Sequence, residues 1–240
     1  DQLGALYRRS LLEYDTAQQR YDLHELVRVF ALARLGDAER DVRLRHAQHY
    51  IAVAEQADNL YLAGGDNIAL GLALFDQERA NLDAAWRRLQ THPTDADVDA
   101  LLSAAAAATT HIGDLRYSKQ AERIPQLEAA LQAARRLGRR DAEGVFLGNL
   151  GLAYFALGDA RKAIEFYQQR LVIAHEIGDR RGEGNALGNL GLAYAALGDA
   201  RKAIEFYQQS LAVAREIGDR RGEGSALGNL GNAYAALGDA

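Results

Sequence analysis

Hydrophobic residues in the C-terminal part of the chain recur at spacings of three and four, with polar residues between them. This spacing predicts two amphipathic helices, one over residues 186–197 and another over residues 203–217. The apolar faces are Ala186, Leu187, Leu190, Ala193, Tyr194 and Leu197 in the first helix, and Ala203, Ile204, Tyr207, Leu211, Ala214 and Ile217 in the second. Gly-Asp pairs at 198–199 and 218–219 predict the turns, because glycine tolerates a left-handed helix end and aspartate caps the next helix.

This helix pair repeats along the chain with a period of 40 residues, which Asn149, Asn189 and Asn229 mark. Residues 181–220 differ from residues 141–180 at nine positions, and residues 221–240 differ from residues 181–200 at two. A period of this length is typical of stacked supersecondary units. We therefore predict an all-α solenoid of antiparallel helix pairs, with two full units and a half unit over residues 141–240.

The repeated unit resembles the tetratricopeptide repeat. The family's Leu-Gly-x-x-Tyr motif is found as Leu190, Gly191 and Tyr194, and the Ala and aromatic residue of its second helix are found as Ala203 and Tyr207. The unit is longer than the usual length of about 34 residues, and its closing GDRRGEG is similar to the long repeats of Pins-type cell-polarity scaffolds. The resemblance implies a right-handed solenoid whose concave groove binds a protein or peptide.

A more divergent unit is predicted upstream. Residues 121–144 share seven identities with residues 161–184 at the same 40-residue offset. We therefore predict a divergent repeat over residues 98–140, with an Ala-rich helix over 97–112 and an insertion near 115–120. Pro125 is expected near the start of its second helix, where a missing N–H costs little.

The first 36 residues are predicted to contain a helix end, a short β-hairpin and a further helix. Residues 11–15 and 20–24 flank the polar turn Thr16–Gln19, and an amphipathic stretch follows over residues 25–35. The sequence RRSLLEYD…RYDLHELVRVFALARL resembles the end of the winged-helix domain of STAND ATPases, the NB-ARC group of signalling switches. Residues 37–97, which include FDQERANLDAAWRRL, resemble the helical linker that follows this domain. These resemblances divide the chain into residues 1–36, 37–97, 98–140 and 141–240.

The second resemblance implies a role for His24. The Met-His-Asp-like triplet of the family is found as Leu23-His24-Glu25, and the family's histidine reaches the β-phosphate of bound ADP in the resting state. ATP or ADP and Mg²⁺ are thereby implied for a full-length protein, whereas this chain has no phosphate-binding loop of its own. The alternative is a half-buried histidine that only caps the hairpin.

No catalytic constellation or metal site is predicted. His46 and His49 lie one helical turn apart, but structural zinc sites use four ligands, usually with thiolates, and the chain has no cysteine. The glycines of GEGNALGNLG follow no strand and lack the GK[ST] ending of a phosphate loop, so packing is their expected role. We therefore expect a non-catalytic chain that binds no cofactor by itself.

Composition narrows the class of partner. A net charge of −5 argues against general binding to nucleic acids or anionic membranes. Residues 1–50 balance eight arginines with eight acidic residues, which disfavours DNA binding through the hairpin. No apolar run reaches the roughly 18 residues of a membrane span, and no signal peptide is visible, so we expect a cytoplasmic protein. The chain has no methionine and stops within a repeat, which indicates a fragment of a longer protein.

Some of the differences between the near-identical units fall on one stripe of the first helix. The tetratricopeptide resemblance places this stripe on the concave groove. The predicted partner-binding residues are Val145, Leu152, Phe155, Asn185, Leu192, Ala195, Ser225 and Asn232, interleaved with Gly148, Gly188 and Gly228. No Lys or Arg lies on the stripe, although a cation is expected where a peptide carboxylate is held. The alternative is that Val145, Phe146 and Phe155 pack on the divergent unit.

The leading functional hypothesis is the sensor arm of a bacterial STAND ATPase. Such an arm binds a protein or peptide trigger, contacts the nucleotide-binding domain and relieves autoinhibition in defence or transcriptional control. The alternative hypothesis is a constitutive tetratricopeptide scaffold with no linked ATPase. The final half unit presents Leu227, Leu230, Tyr234 and Leu237 without a second helix, so self-association through this end is also expected.

Overall fold

The computed structural model describes residues 2–16, 20–91 and 95–238. These residues contain twelve α-helices and one two-stranded antiparallel sheet, so the predicted all-α architecture with a small hairpin is confirmed. The chain forms two compact units, residues 1–46 and residues 47–240.

The first unit contains the hairpin that the sequence predicts. Its elements are α1 (Gln2–Arg8), β1 (Leu12–Asp15), β2 (Arg20–Leu23) and α2 (Glu25–Arg34). Tyr14 pairs with Tyr21 across the antiparallel strands, and the Tyr7 ring meets both edge-on, with centroids 6.5 and 6.0 Å away. Cross-strand aromatic contacts of this kind stabilise a hairpin that is short for an isolated pair of strands. Residues 17–19 of the predicted turn lie outside the described residues.

Two long helices follow in the region of the predicted linker. They are α3 (Glu39–Ala63), which a 3₁₀ turn (Gly36–Ala38) precedes, and α4 (Asn67–Leu89). Gly64 and Gly65 end α3 with φ angles of +76° and +58°, a conformation that residues with a Cβ rarely adopt. A Cβ at Gly71 would lie 2.5 Å from the carbonyl oxygen of Ala57, so glycine permits the close approach of α4 to α3.

The helix predicted over residues 97–112 ends earlier in the structure, and a separate short helix follows it. They are α5 (Ala96–Ala108) and α6 (Ile112–Arg116). The buried Asp58 carboxylate accepts the backbone N–H groups of His111 and Ile112 at 3.0 and 2.8 Å, which stabilises a new helix start there. A π-helix (Lys119–Arg123) then leads into α7 (Ile124–Arg136), whose first turn contains Pro125 as expected.

The remaining helices form the predicted repeat array. They are α8 (Arg140–Ala156), α9 (Ala160–Ile177), α10 (Arg180–Ala196), α11 (Ala200–Glu216) and α12 (Arg220–Leu237). Glycines 158, 178, 198 and 218 adopt positive φ angles at the helix ends. The aspartate after each glycine accepts a backbone N–H from the first turn of the next helix, at 2.8 to 3.1 Å. The Gly-Asp pairs therefore form the predicted turns.

Successive helices interlock where a tyrosine of the second helix meets a glycine of the first. A Cβ at Gly151 would lie 2.3 Å from the Tyr167 ring, and a Cβ at Gly191 would lie 2.4 Å from the Tyr207 ring. Apolar clusters join α7 to α8, α9 to α10 and α11 to α12. The core is therefore a row of small clusters along the array, in which each unit depends on its neighbours.

Candidate binding groove

Three successive first helices, α8, α10 and α12, line a groove with a volume of about 590 Å³, and α9 and α11 contribute side chains to its floor. Its aliphatic lining includes Val145, Leu152 and Leu192, and each of these side chains is more than a third exposed. An open groove that leaves large apolar side chains in water offers a surface for another molecule.

The lining contains five of the eight residues predicted for partner binding: Val145, Leu152, Asn185, Leu192 and Ser225. Phe155 is half-buried and packs on the cluster formed by α9 and α10. The divergent unit instead receives Phe146, which joins the cluster of α7 and α8. Ala195 and Asn232 are exposed and lie outside the described residues that line the groove. The predicted stripe is thus divided between the groove and other positions on the array.

A row of asparagines runs through the groove. Asn149, Asn189 and Asn229 occupy the same position in three units, and all three are half-buried in the lining. The Nδ2 atom of Asn149 is buried and has no hydrogen-bond partner among the described residues. A buried amide without a partner costs stability, and a carboxamide can both donate and accept hydrogen bonds. The row therefore offers hydrogen-bonding capacity to a molecule in the groove.

Arg170 lies on the floor of the groove, where the next unit has Ser210. Its side chain is 14% exposed, and Nη2 donates a hydrogen bond of 3.3 Å to Oδ2 of Asp179. Burial lowers the pKa of the Arg170 guanidinium, and the charge of Asp179 opposes this effect. Ser210 Oγ donates to the carbonyl oxygen of Gly184 at 2.9 Å. The two units therefore differ by one largely buried positive charge.

Arg181 and Arg221 lie at the rim of the groove, in the first turns of α10 and α12. Both are exposed, and neither forms an ion pair within the described part of the chain. The lining also contains one carboxylate, Asp219, whose Oδ1 accepts the backbone N–H of Gly222 at 3.0 Å. The predicted stripe carries no cation, but the floor and the rim together supply three arginines.

Neither the asparagine row nor the arginines were predicted as groove residues from the sequence. The groove residues were sought among positions that differ between units. The asparagines are identical in all three units, so that comparison reveals their period and not their place in the groove. Asn149 follows Val145 by four residues, and this helical spacing was the usable signal for its position beside the stripe. Arg170 is one of the nine differences between units, but it lies on the second helix and outside the stripe. Its replacement by serine in the next unit was the signal that marks it.

His24 lies at the start of α2 with an exposed side chain. Its Nδ1 atom accepts the backbone N–H of Leu26 at 3.3 Å, so it caps this helix rather than the hairpin. Because Nδ1 accepts a hydrogen bond, a neutral His24 ring carries its proton on Nε2. Both carboxylate oxygens of the adjacent Glu25 accept hydrogen bonds from Arg28 at 2.7 to 3.0 Å.

Other candidate chemistry receives no support in residues 2–16, 20–91 and 95–238. No group of three or more His, Asp or Glu side chains in this part of the chain is arranged to hold a metal ion. The His49 ring packs edge-on against Tyr50, with ring centroids 4.9 Å apart. None of the described helices combines the length and the apolar character needed to cross a bilayer.

Comparison with known sequences identifies the repeats. Residues 147–181 and 182–240 match two family models, both described as tetratricopeptide repeat, so the array consists of tetratricopeptide repeats. The putative HTH-type transcriptional regulators Mb0914c of Mycobacterium bovis and Rv0890c of Mycobacterium tuberculosis are each 41% identical to this chain over 101 residues. These matches cover 40% of this chain and 11% of each regulator, so the chain corresponds to a small part of their length.

Solved structures share the fold at low sequence identity. BtubC from P. vanneervenii matches with a TM-score of 0.53 and 17% identity, over 83% of this chain and 84% of that chain. A putative kinesin light chain from Podospora anserina, with nearly identical TPR-like repeats, matches with a TM-score of 0.56 and 18% identity, over 80% and 88%. A STAND protein with a tetratricopeptide repeat sensor from Pyrococcus horikoshii matches with a TM-score of 0.53 and 17% identity, over 97% and 48%.

Proposed function

We propose that this chain is the sensor arm of a STAND-type signalling ATPase, and that its groove binds an extended segment of a protein trigger. The observation that carries the proposal is the extent of the likeness to the STAND protein of P. horikoshii. It covers 97% of this chain, against 83% and 80% for BtubC and the kinesin light chain. A span of that length takes in the hairpin and the linker helices as well as the repeats, which is the combination that resembles this family in the sequence.

The groove supplies the interactions that an extended segment needs. Carboxamides in a row pair with the alternating N–H and C=O groups of a peptide backbone, and Asn149, Asn189 and Asn229 form such a row. Val145, Leu152 and Leu192 cover apolar side chains of the ligand and leave water when they do so.

In this proposal, trigger binding changes the contact between the chain and the nucleotide-binding domain of the full-length protein. A ligand shifts such an equilibrium only if it binds one of the two states more tightly. The trigger therefore binds the active state more tightly than the autoinhibited one. The names of the curated relatives, which are putative transcriptional regulators, favour transcriptional control over defence as the output.

The nucleotide of such a switch fits the described residues only in part. The chain has no GK[ST] phosphate loop, and its described residues include no cluster of acidic side chains suited to Mg²⁺. His24 does fit, because its ring is exposed and the contact from Leu26 to Nδ1 leaves the proton on Nε2. That N–H can donate to a phosphate oxygen. The nucleotide supplies the phosphoryl chemistry when bound, and His24 holds and orients one proton.

A constitutive scaffold is the second candidate. The likeness to the putative kinesin light chain favours it, because the TM-score of 0.56 is the higher one and the match covers 88% of that chain. A scaffold would use the same groove without a linked ATPase. His24 would then serve only as the N-cap of α2.

Nucleotide retention in the full-length protein tests the switch. We expect His24→Ala and His24→Asn to release bound ADP faster than the wild type and to raise basal ATP hydrolysis. Asparagine retains a good N-cap but lacks the imidazole N–H, so it separates the two roles of His24. Normal ADP retention in His24→Asn would limit His24 to capping, and a full-length protein that binds no nucleotide would favour the scaffold.

Binding to the groove is tested in the same protein with two matched substitutions. Leu192→Glu places a charge on the apolar lining and is expected to abolish binding of a trigger segment. Asn232→Glu introduces the same side chain at an exposed position outside the described lining, and is expected to leave binding unchanged. An equal loss of binding in both variants would show that Asn232 contacts the bound segment, as the sequence predicts.

A further inference from the structure

We propose that the segment bound in the groove is acidic, and that its carboxylates are held by Arg170, Arg181 and Arg221. The inference rests on the proposed peptide-binding function, because it names the chemistry of the segment bound there. The described lining contains these three arginines and a single carboxylate, Asp219, in a chain whose net charge is −5. A positive groove on an acidic protein attracts an anionic partner and favours one orientation of it.

Arg170 carries a charge that its surroundings satisfy incompletely. A guanidinium has five N–H donors, and the hydrogen bond that Arg170 donates to Asp179 measures 3.3 Å. Asp179 is itself shared, because its Oδ1 atom accepts the backbone N–H of Gly182 at 2.8 Å. A cation that has lost water and gained one long hydrogen bond is poorly compensated. A carboxylate in the groove compensates it, because it can accept two parallel N–H bonds from the guanidinium.

Glycines hold the space around this guanidinium. A Cβ at Gly144 would lie 3.2 Å from Nη1 of Arg170, and a Cβ at Gly182 would lie 2.5 Å from Nη2. A Cβ at Gly148 would lie 3.4 Å from its Cδ. The Arg170 side chain therefore occupies a space that exists because Gly144, Gly148 and Gly182 have no side chains. Its position is set before a ligand arrives, which reduces the cost of ordering it on binding.

Arg181 and Arg221 occupy the same position in consecutive units, so each unit places one positive charge at the rim of the groove. The adjacent Arg180 is engaged, because it pairs with Glu183 in its own helix. Arg181 and Arg221 have no such carboxylate within the described part of the chain, and both side chains are exposed. Arg181 and Arg221 are one repeat apart, and each can hold one acidic side chain of the ligand. A third carboxylate of the ligand reaches Arg170 on the floor of the groove.

An acidic peptide suits the groove better than a nucleic acid does. Single-stranded nucleic acids bind grooves that combine cations with accessible aromatic rings on which the bases stack. The aromatic residue in the described lining, Tyr167, is buried in the core and offers no stacking face. The lining provides aliphatic side chains and carboxamides instead, which suit the side chains and the backbone of a peptide.

Peptide selection on the 240-residue chain tests the inference. Random twelve-residue peptides displayed on phage are selected on the purified protein, and the affinities of enriched peptides are measured by fluorescence anisotropy. We expect enrichment of Asp and Glu over Lys and Arg. We also expect the enriched peptides to bind at least about tenfold more weakly to Arg170→Ser, and to the double variant Arg181→Ser, Arg221→Ser, because each removes charge-assisted hydrogen bonds.

Matched controls isolate the charge of the groove. Arg161 and Arg201 are exposed arginines in the first turns of α9 and α11, outside the described lining. Replacing both with serine changes the net charge as much as the rim double variant does and should preserve affinity. Arg170→Ser copies the residue of the next unit, and its melting is checked by circular dichroism. If that variant unfolds, the rim double variant still decides the result.

The outcomes separate this inference from the function on which it rests. Enriched peptides without an acidic bias, whose binding Leu192→Glu blocks, would overturn the inference and leave peptide binding intact. If no peptide is enriched, both proposals fail. Binding of an oligo-thymidine strand that is lost in the arginine variants would assign the groove to a nucleic acid and would also overturn the inference.

Discussion

Helices α10 and α12 have nearly the same sequence but different surroundings. Leu187 on α10 is 3% exposed, whereas Leu227 at the same position of α12 is 46% exposed. Gly191 receives the ring of Tyr207, whereas nothing lies within 4 Å of a Cβ built at Gly231. The local sequence therefore determines that each segment is a helix, and the next helix of the array determines which of its residues are buried.

The ion pairs show the same difference. Arg180 pairs with Glu183 in its own helix and with Glu216 at the end of α11. Arg220, the equivalent residue of α12, pairs with Glu223, and its side chain is 91% exposed. Because units of an array are stabilised by their nearest neighbours, α12 is expected to be the least stable helix of the array and the first to open.

The largest expected effect of this difference is on the free energy of unfolding when a leucine of either helix is truncated to alanine. Leu187→Ala removes a buried side chain and should lower the free energy of unfolding by about 3 kcal/mol, within the usual range for a core leucine. Leu227→Ala should lower it by less than about 1 kcal/mol, because much of that side chain is already in water. Urea unfolding of the whole chain, followed by circular dichroism, measures both changes.

Equal losses at the two leucines would contradict the exposure of α12 in solution. The expected self-association through this end would explain such a result, because a second copy can cover Leu227. Light scattering would then show a concentration-dependent dimer, and Leu227→Glu would dissociate it. A monomer with a small loss would leave α12 as an open end.

Much of this fold follows from local sequence signals. The helical spacing and the Gly-Asp pairs predicted the helices and their turns, because each of these signals acts within a few residues, and the 40-residue period predicted the units. The break between α5 and α6 was not predicted, because it depends on Asp58, which lies more than 50 residues before His111 in the chain. A contact at that separation leaves no pattern in the local sequence.

The candidate groove was less predictable than the helices for a similar reason. The stripe on the first helix located Val145 and Leu152, which helical geometry relates, and the 40-residue period located Leu192 at the position of Leu152 in the next unit. Arg170 belongs to the second helix, and its burial depends on how α8, α9 and α10 meet. Phe155 packs on the next unit instead of lining the groove. Whether a stripe residue faces a ligand or a neighbouring helix is set by packing that the stripe does not encode.

A glycine substitution should show the same contrast with a smaller effect. Gly191→Ala places a Cβ about 2.4 Å from Cε1 of Tyr207, whose side chain is buried and has little room to move. The overpacking should lower the free energy of unfolding by about 1–3 kcal/mol. Urea unfolding measures the loss, and near-ultraviolet circular dichroism reports any displacement of the tyrosine ring.

Gly231→Ala is the matched variant at the open end. Nothing lies near its Cβ, so the better helix propensity of alanine should raise the free energy of unfolding by about 0.5–1 kcal/mol. The two substitutions are therefore expected to have opposite signs. A loss at both positions would show that a helix covers α12 in solution, and a gain at both would show that Tyr207 moves aside at little cost.

The smallest expected effect concerns the second residue of each first helix, which differs between units. It is Asp141 in one unit and Arg181 and Arg221 in the next two. Arg139 donates to both carboxylate oxygens of Asp141 at 3.1 and 2.9 Å, and these bonds, together with a hydrogen bond from the backbone N–H of Ala142, lower the pKa of Asp141 to about 2. The ordinary value is about 3.9. The pair therefore contributes stability above that pH and loses it as the pH falls from about 4 through 2.

Both side chains of the Asp141–Arg139 pair are largely exposed, so solvent screens the interaction and its effect on stability should be small. The pKa is the sharper readout. An NMR titration of the side-chain carboxyl carbons should show Asp141 titrating near pH 2 in the wild type and at a higher pH in Arg139→Gln, with Asp141→Asn identifying the signal. A wild-type value near 4 would mean that Arg139 does not hold this carboxylate. Arg139 would then be available, like Arg181 and Arg221, to an acidic partner.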